Sequence, residues 1–217
     1  MIIDERMSAF IDSLDSGNPA WLNEIEKFAL ETQVPIIRRS MQSLLKFLLK
    51  FTKPKSILEV GTAIGFSALL MSEYAPEDCH ITTIEKYEKR IPIAKENFRK
   101  AGREDRITLL EGDATEILRE LEGTYDVIFM DAAKGQYIHF LPEILRLLAK
   151  DGVLVSDNVL QDGDVIESRR NRTVHAKMRG YLYQVKHHPE LETVILPVGD
   201  GVTLSTKKEE STVTQNK

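Results

Sequence analysis

Carboxylates recur at one kind of place along this chain. Glu59, Glu85, Asp113, Asp131 and Asp157 each stand at or just beyond the end of a short apolar run: SILEV, ITTIE, ITLLE, YDVIFMD and GVLVSD. Such runs read as buried strands, where a carboxylate is costly unless something pairs with it. An acid that caps the next helix explains one or two of these positions. Five in register point to a ligand site beyond the strand ends. The last acid is followed by Asn158, and the pair poses a choice between an Asx-turn and a cation held by oxygens.

The first three acids suggest what is bound. The loop after SILEV is Gly61-Thr-Ala-Ile-Gly65, with Ala63 where a dinucleotide loop has its middle glycine. Glu59, two residues before the first glycine, repels a pyrophosphate but suits the ammonium of an amino acid, directly or through water. Glu85 can take both hydroxyls of a ribose. Asp113 with the backbone of Ala114 can address an adenine edge. Amino acid, ribose and adenine without phosphates describe S-adenosylmethionine. The other two acids end strands expected to be neighbours, about 4.8 Å apart. With the Asn158 carbonyl they make three hard oxygen ligands, a set that suits Mg²⁺ or Mn²⁺ and not zinc.

Those residues need an open α/β sheet. Strand and helix patterns alternate from Ser56 to Asp157, which implies parallel strands with helices on both faces. Three helices are expected before the first strand, the third over Ile36 to Phe51. A helix from Thr173 to His187 and two strands around Gly199-Asp200-Gly201 should add an antiparallel edge. One domain over residues 1–207 is expected, with a helical cap at 1–52 and a disordered polar tail at 208–217. The 217 residues carry a net charge of -5, so the whole molecule does not advertise nucleic-acid binding. Cys79 is the only cysteine, which excludes an internal disulfide and a thiolate zinc site. No apolar stretch is long enough to span a membrane, and MIIDERMSAF lacks the bases of a signal peptide, so a cytoplasmic protein is expected.

ILEVGTAIGFSALLM, TTIEKYEKR, EGDATE, YDVIFMDAAKGQY and SDNVL together resemble the class I methyltransferases of the catechol and caffeoyl-CoA O-methyltransferase branch. With VPII at 34–37, KGQY at 134–137 and LPVGDG at 196–201, the chain is most similar within that branch to the bacterial tRNA 5-hydroxyuridine methyltransferases. The resemblance implies a Rossmann-like fold with a seven-stranded, mostly parallel sheet. It adds Ile37 (where the family usually has methionine), Gly61, Ser67, Gly112 and Asp131 to the cofactor residues, and places the metal on Asp131, Asp157 and Asn158. Lys134 matches the family's candidate proton acceptor, beside Asp131. A solvated lysine is too basic for that work, so burial and a nearby cation would have to tune it. Homodimers are usual in the family.

The substrate divides the reading. Between Glu167 and Glu190 there is no acid, while Arg169, Arg170, Arg172, Lys177, Arg179 and Lys186 are interleaved with His175, Tyr181 and Tyr183. With Arg38 and Arg39 they suit a phosphate backbone and unstacked bases, here a tRNA anticodon stem-loop. A solvated helix face explains them equally well, and then the substrate is a catechol-like or caffeoyl-CoA-like small molecule. A non-catalytic binding protein is the third reading, and the intact ligand set argues against it.

Overall fold

The structure, a computed structural model, describes residues 4–166 and 173–208, without the side chain of Asp162. Three helices, α1 (Glu5–Ser13), α2 (Ala20–Glu31) and α3 (Arg39–Thr52), precede the sheet. Then come β1 (Ser56–Val60), α4 (Phe66–Tyr74), β2 (His80–Glu85), α5 (Ile91–Lys100), β3 (Ile107–Glu111), α6 (Ala114–Glu120), β4 (Tyr125–Met130), α7 (Tyr137–Leu147) and β5 (Leu148–Ser156). The chain closes with α8 (Thr173–His187), β6 (Leu191–Leu196) and β7 (Val202–Lys207). The seven strands lie in the order β3-β2-β1-β4-β5-β7-β6. Neighbours among β1 to β5 are parallel, and β7 runs antiparallel between β5 and β6, as the sequence implied.

Local chemistry sets the helix starts. Asp4 caps α1 by accepting from the amides of Arg6 and Met7, and Asp113 caps α6 by accepting from Thr115. Pro92 sits in the first turn of α5, where its missing N–H costs nothing. Alternation along each strand then feeds two cores. Ile57, Phe129 and Val155 face α3 and α4 and meet Leu45, Leu49, Phe66 and Leu69. Leu58, Ile128 and Leu154 face the other way, onto Tyr137, Ile144, Met178 and Tyr181 of α7 and α8.

Element boundaries differ from the sequence reading in ways that bear on the site. The third helix starts at Arg39 instead of Ile36, because Arg38 is its extended cap, with φ -67° and ψ 157°. Periodicity cannot see this, since Ile36 and Ile37 continue the apolar pattern while lying outside the helix. The consequence is functional: Pro35 to Arg38 are free to wall a cavity. The last parallel strand ends at Ser156, not Asp157, so the acid stands just past the strand and its side chain belongs to the turn.

Candidate functional site

The strand order changes direction between β1 and β4, and a crevice opens beyond their carboxyl ends. A cavity of about 820 Å³ occupies it. One wall comes from Gly61, Ser67 and Glu85, a second from Gly112, Asp113 and Ala114. Asp131, Lys134, Asp157 and Asn158 form the floor on the β4 and β5 side, and Ile37 and Arg38 reach across from the segment before α3. Sequence spacing therefore placed these residues around one space.

In the first half of the site the acids are already held in shape. Glu85 accepts the Ala63 amide at 2.8 Å on one oxygen and the amides of Lys86 and Tyr87, at 2.9 and 2.8 Å, on the other. A fixed carboxylate with lone pairs to spare suits a diol. Asp113 accepts from the Thr115 amide at 2.8 Å, which together with Lys86 keeps its carboxyl below the usual range. Gly61, at φ +95°, is required by the fold as well as by any ligand: a Cβ there would stand 2.5 Å from the Asp131 carbonyl oxygen.

Glu59 departs from expectation. It is fully buried and is not among the residues that line the cavity. The cause is strand alternation, which turns Glu59 to the same face as Ile57. Its carboxylate accepts from the Thr83 hydroxyl, and Oε1 makes no hydrogen bond with a described residue. Burial drives its pKa up to about 7, against the pull of the Ser67, Thr62 and Thr83 hydroxyls. Ser67 and Thr62 stand between this carboxyl and the cavity, which both of them line.

This predicts a pH effect. A carboxyl whose pKa rises from 4.5 to about 7 on folding is protonated more fully in the folded state across that interval. Its contribution to stability is therefore greatest below about pH 4.5 and is lost as pH rises towards 7. Glu59→Gln should flatten the fall of Tm over that interval, compared with the parent protein in the same buffers. Parallel Tm curves for the two proteins would show that Glu59 does not titrate this way.

In the second half, β4 pairs with β5 in the register Met130↔Ser156, which sets Asp131 and Asp157 side by side. The Asp157 amide donates to the Met130 carbonyl at 2.9 Å, and its carboxylate accepts the Asn158 amide at 2.7 Å. That bond goes to the next residue, whereas an Asx-turn closes on the amide two residues on. The bland reading of this pair is not the structure formed. Burial, then the Asp131 charge, pushes the Asp157 carboxyl up to about 7, with Lys134 opposing. Lys134 Nζ stands 2.6 Å from Asp131 Oδ1 and 3.2 Å from the Tyr137 hydroxyl. Tyr137 is fully buried and its hydroxyl lies 2.9 Å from the Met130 carbonyl and 3.2 Å from that of Asp157. One phenol thus braces the ends of both acid-bearing strands. Sequence reasoning quoted Tyr137 only as part of a motif.

Among the described residues no three His, Cys, Asp or Glu side chains cluster closely enough to hold a metal by themselves. The donor set on offer is two adjacent carboxylates and one amide. Adjacent, largely buried carboxylates of this kind are an arrangement that a divalent cation relieves.

The basic residues are more scattered. Arg38 pairs with Asp200 at 2.9 Å, and Arg39 lies 3.8 Å from Glu26 and points away on α3. Lys177 approaches the His139 ring at 3.4 Å, and Arg179 donates to the Val165 carbonyl at 2.9 Å. Arg169, Arg170 and Arg172 lie outside the described residues. Of the interleaved aromatics, Tyr181 is buried against Tyr137 and the Ser156 hydroxyl, and His175 is buried at the cavity wall. Their helical spacing served the core, so Tyr183, stacked on His187, is the aromatic that α8 exposes.

Known proteins share this arrangement of elements. The family model described as O-methyltransferase matches residues 12–208. "O-methyltransferase ankF" of Aspergillus thermomutatus is 29% identical over 91% of this chain and 87% of its own. "Caffeoyl-CoA O-methyltransferase 2" of Populus trichocarpa is 33% identical over 74% of this chain and 70% of its own. The SAH-bound methyltransferase PaMTH1 of Podospora anserina superposes with a TM-score of 0.87 and 31% identity, covering 94% of this chain and 95% of that one.

Proposed function

The chain belongs to the O-methyltransferase family, and from that premise we propose that it uses S-adenosylmethionine and Mg²⁺ to convert 5-hydroxyuridine to 5-methoxyuridine at the wobble position of tRNA. The observation that supports the chemistry is the meeting of Glu85, Asp113, Asp131, Asp157 and Asn158 around one cavity. When bound, S-adenosylmethionine supplies a sulfonium methyl that is already electrophilic. A divalent cation, held by Asp131, Asp157 and Asn158, would supply Lewis acidity at the accepting oxygen. The protein's own part is alignment and proton transfer. Glu85 holds the ribose hydroxyls, Asp113 and the Ala114 backbone hold the adenine edge, and Ser67 meets the amino acid end. Lys134 Nζ donates to Asp131 in this structure, so it would take the hydroxyl proton only as the neutral amine, its own proton passing to solvent once a bound cation takes over Asp131. Two adjacent oxygens are needed on the substrate, and 5-hydroxyuracil offers a hydroxyl next to a ring carbonyl.

The basic composition from Arg169 to Lys186 supports RNA as substrate, and the described part of that stretch reaches the cavity through Val174 and His175. A splayed wobble uridine enters a pocket at little cost. The likeness to the Populus caffeoyl-CoA enzyme supports a second reading, in which the same site methylates a catechol-like small molecule. A homodimer belongs to either reading: α1 buries none of its residues and exposes Met7, Phe10 and Ile11, with Leu14 exposed at its C-cap.

Replacing Arg169, Arg170 and Arg172 together by Ala separates the two. On tRNA, kcat/KM should fall at least about tenfold at 0.15 M salt, and the salt slope should shrink by about two to three, as expected when three phosphate contacts go. Turnover of a catechol should stay within about twofold. An unchanged salt slope on tRNA would remove these residues from the interface.

A further inference from the structure

The Gly199-Asp200-Gly201 turn between β6 and β7 does more than reverse the chain. Gly201, at φ +85°, has no room for a side chain, since a Cβ there would stand 2.3 Å from Leu160 Cγ. The Asp200 carbonyl accepts the amides of Leu160 and Gln161 at 2.9 and 3.0 Å, and the Gly201 carbonyl accepts that of Val159 at 2.9 Å. These bonds dock the turn on the segment immediately after Asn158. They bring the Asp200 carboxylate, whose side chain is 16% exposed, into the cavity wall. There one oxygen accepts from Asn158 Nδ2 at 3.2 Å, and the other meets Arg38 Nη2 at 2.9 Å.

We propose that Asp200 is a positioning residue that fixes which edge of the Asn158 amide faces the Asp131–Asp157 side of the cavity. This rests on the metal reading of that site given above. The reason is the chemistry of the two groups. A carboxylate can only accept, so the amide must turn its N–H₂ edge towards Asp200. Its carbonyl oxygen then lies on the opposite edge. A free primary amide can flip, and in the flipped state it offers a cation two N–H bonds where it should offer a lone pair. Asn158 is held at φ +56°, a left-handed conformation that asparagine tolerates, and its side-chain torsions, the amide flip among them, are left for Asp200 to fix. Arg38 holds Asp200 from the far side and so connects the Pro35–Arg38 wall to the same carboxylate. Ligand-orienting partners of this kind are worth about ten- to a hundredfold in metal affinity.

The test is Mn²⁺ titration by calorimetry, with SAH binding measured on every variant as a check of folding. Asp200→Asn should weaken Mn²⁺ about ten- to a hundredfold and leave SAH affinity within about threefold. In an Asn158→Asp background, whose carboxylate has no wrong edge, adding Asp200→Asn should change Mn²⁺ affinity less than about threefold. Arg38→Met, which leaves the Asn158–Asp200 bond in place, should also cost less than about tenfold. Equal Mn²⁺ affinity in Asp200→Asn and the parent would overturn the positioning role alone. An equal loss in both backgrounds would overturn it too, by showing a general electrostatic or structural effect. A parent protein that binds SAH but no Mn²⁺ at millimolar concentration would overturn the metal reading and this inference with it.

Discussion

Asp157→Ala should lower methyl transfer by about three orders of magnitude or more while SAH binding changes less than about fivefold. The size follows from what the residue supplies. Losing one of three oxygen ligands removes most of the charge stabilisation at the accepting oxygen, several kcal/mol, and each 1.4 kcal/mol is about tenfold in rate. The selectivity follows from position. Asp157 stands just past the end of β5, across β4 from β1 and β2, whose loops and Glu85 line the half of the cavity proposed for the cofactor. Truncation also removes a buried carboxyl that burial and the Asp131 charge already hold at about 7, so the fold should not suffer. Isothermal titration with SAH and single-turnover kinetics with excess metal check the two halves separately. A variant that keeps its rate with a chelator present would dissociate the site from metal chemistry.

Lys134→Met is the second large effect, a fall of about a hundred- to ten-thousandfold in kcat, the range for a general base. Methionine keeps the unbranched stem but neither receives a proton nor balances Asp131, from which the lysine nitrogen is 2.6 Å away. Two roles are folded into that contact, and pH separates them. If Lys134 receives the proton, raising the pH should recover part of the lost rate, because hydroxide ionises the substrate without help. If the ammonium only balances Asp131, the deficit should persist at every pH and appear as changed metal affinity instead. A loss below about tenfold would assign the deprotonation to the metal and solvent.

Much of this was legible in the sequence for one reason. In a parallel α/β sheet, strand ends converge on one edge, so acids that end successive strands must meet. Asp131 and Asp157 are side by side because β4 and β5 pair in register. Glu59 shows the limit of that logic: it stands one residue short of the end of its strand, on a face that points into the core, and alternation over five residues is too short a pattern to reveal it. The same ambiguity hid the roles of Tyr181 and His175. On a helix whose spacing fits both a wet aromatic face and a core stripe, packing against Tyr137 and the cavity wall decided between them. Asp200 lies far from Asn158 in sequence, and only the antiparallel pairing of β7 with β5 carries it there. Its flanking glycines were the available signal, since a charged residue between two of them reads as a turn built to present it.

The most direct measurement is a nucleoside count by mass spectrometry. Bulk tRNA carrying 5-hydroxyuridine would be incubated with the protein, S-adenosylmethionine and Mg²⁺, then digested. 5-Hydroxyuridine should be lost and 5-methoxyuridine gained in equal amounts, and a chelator or Asp157→Ala should stop both. Unchanged nucleosides, with a protein that binds S-adenosylmethionine and methylates a catechol, would contradict the tRNA assignment and return the stretch from Arg169 to Lys186 to a solvated helix face.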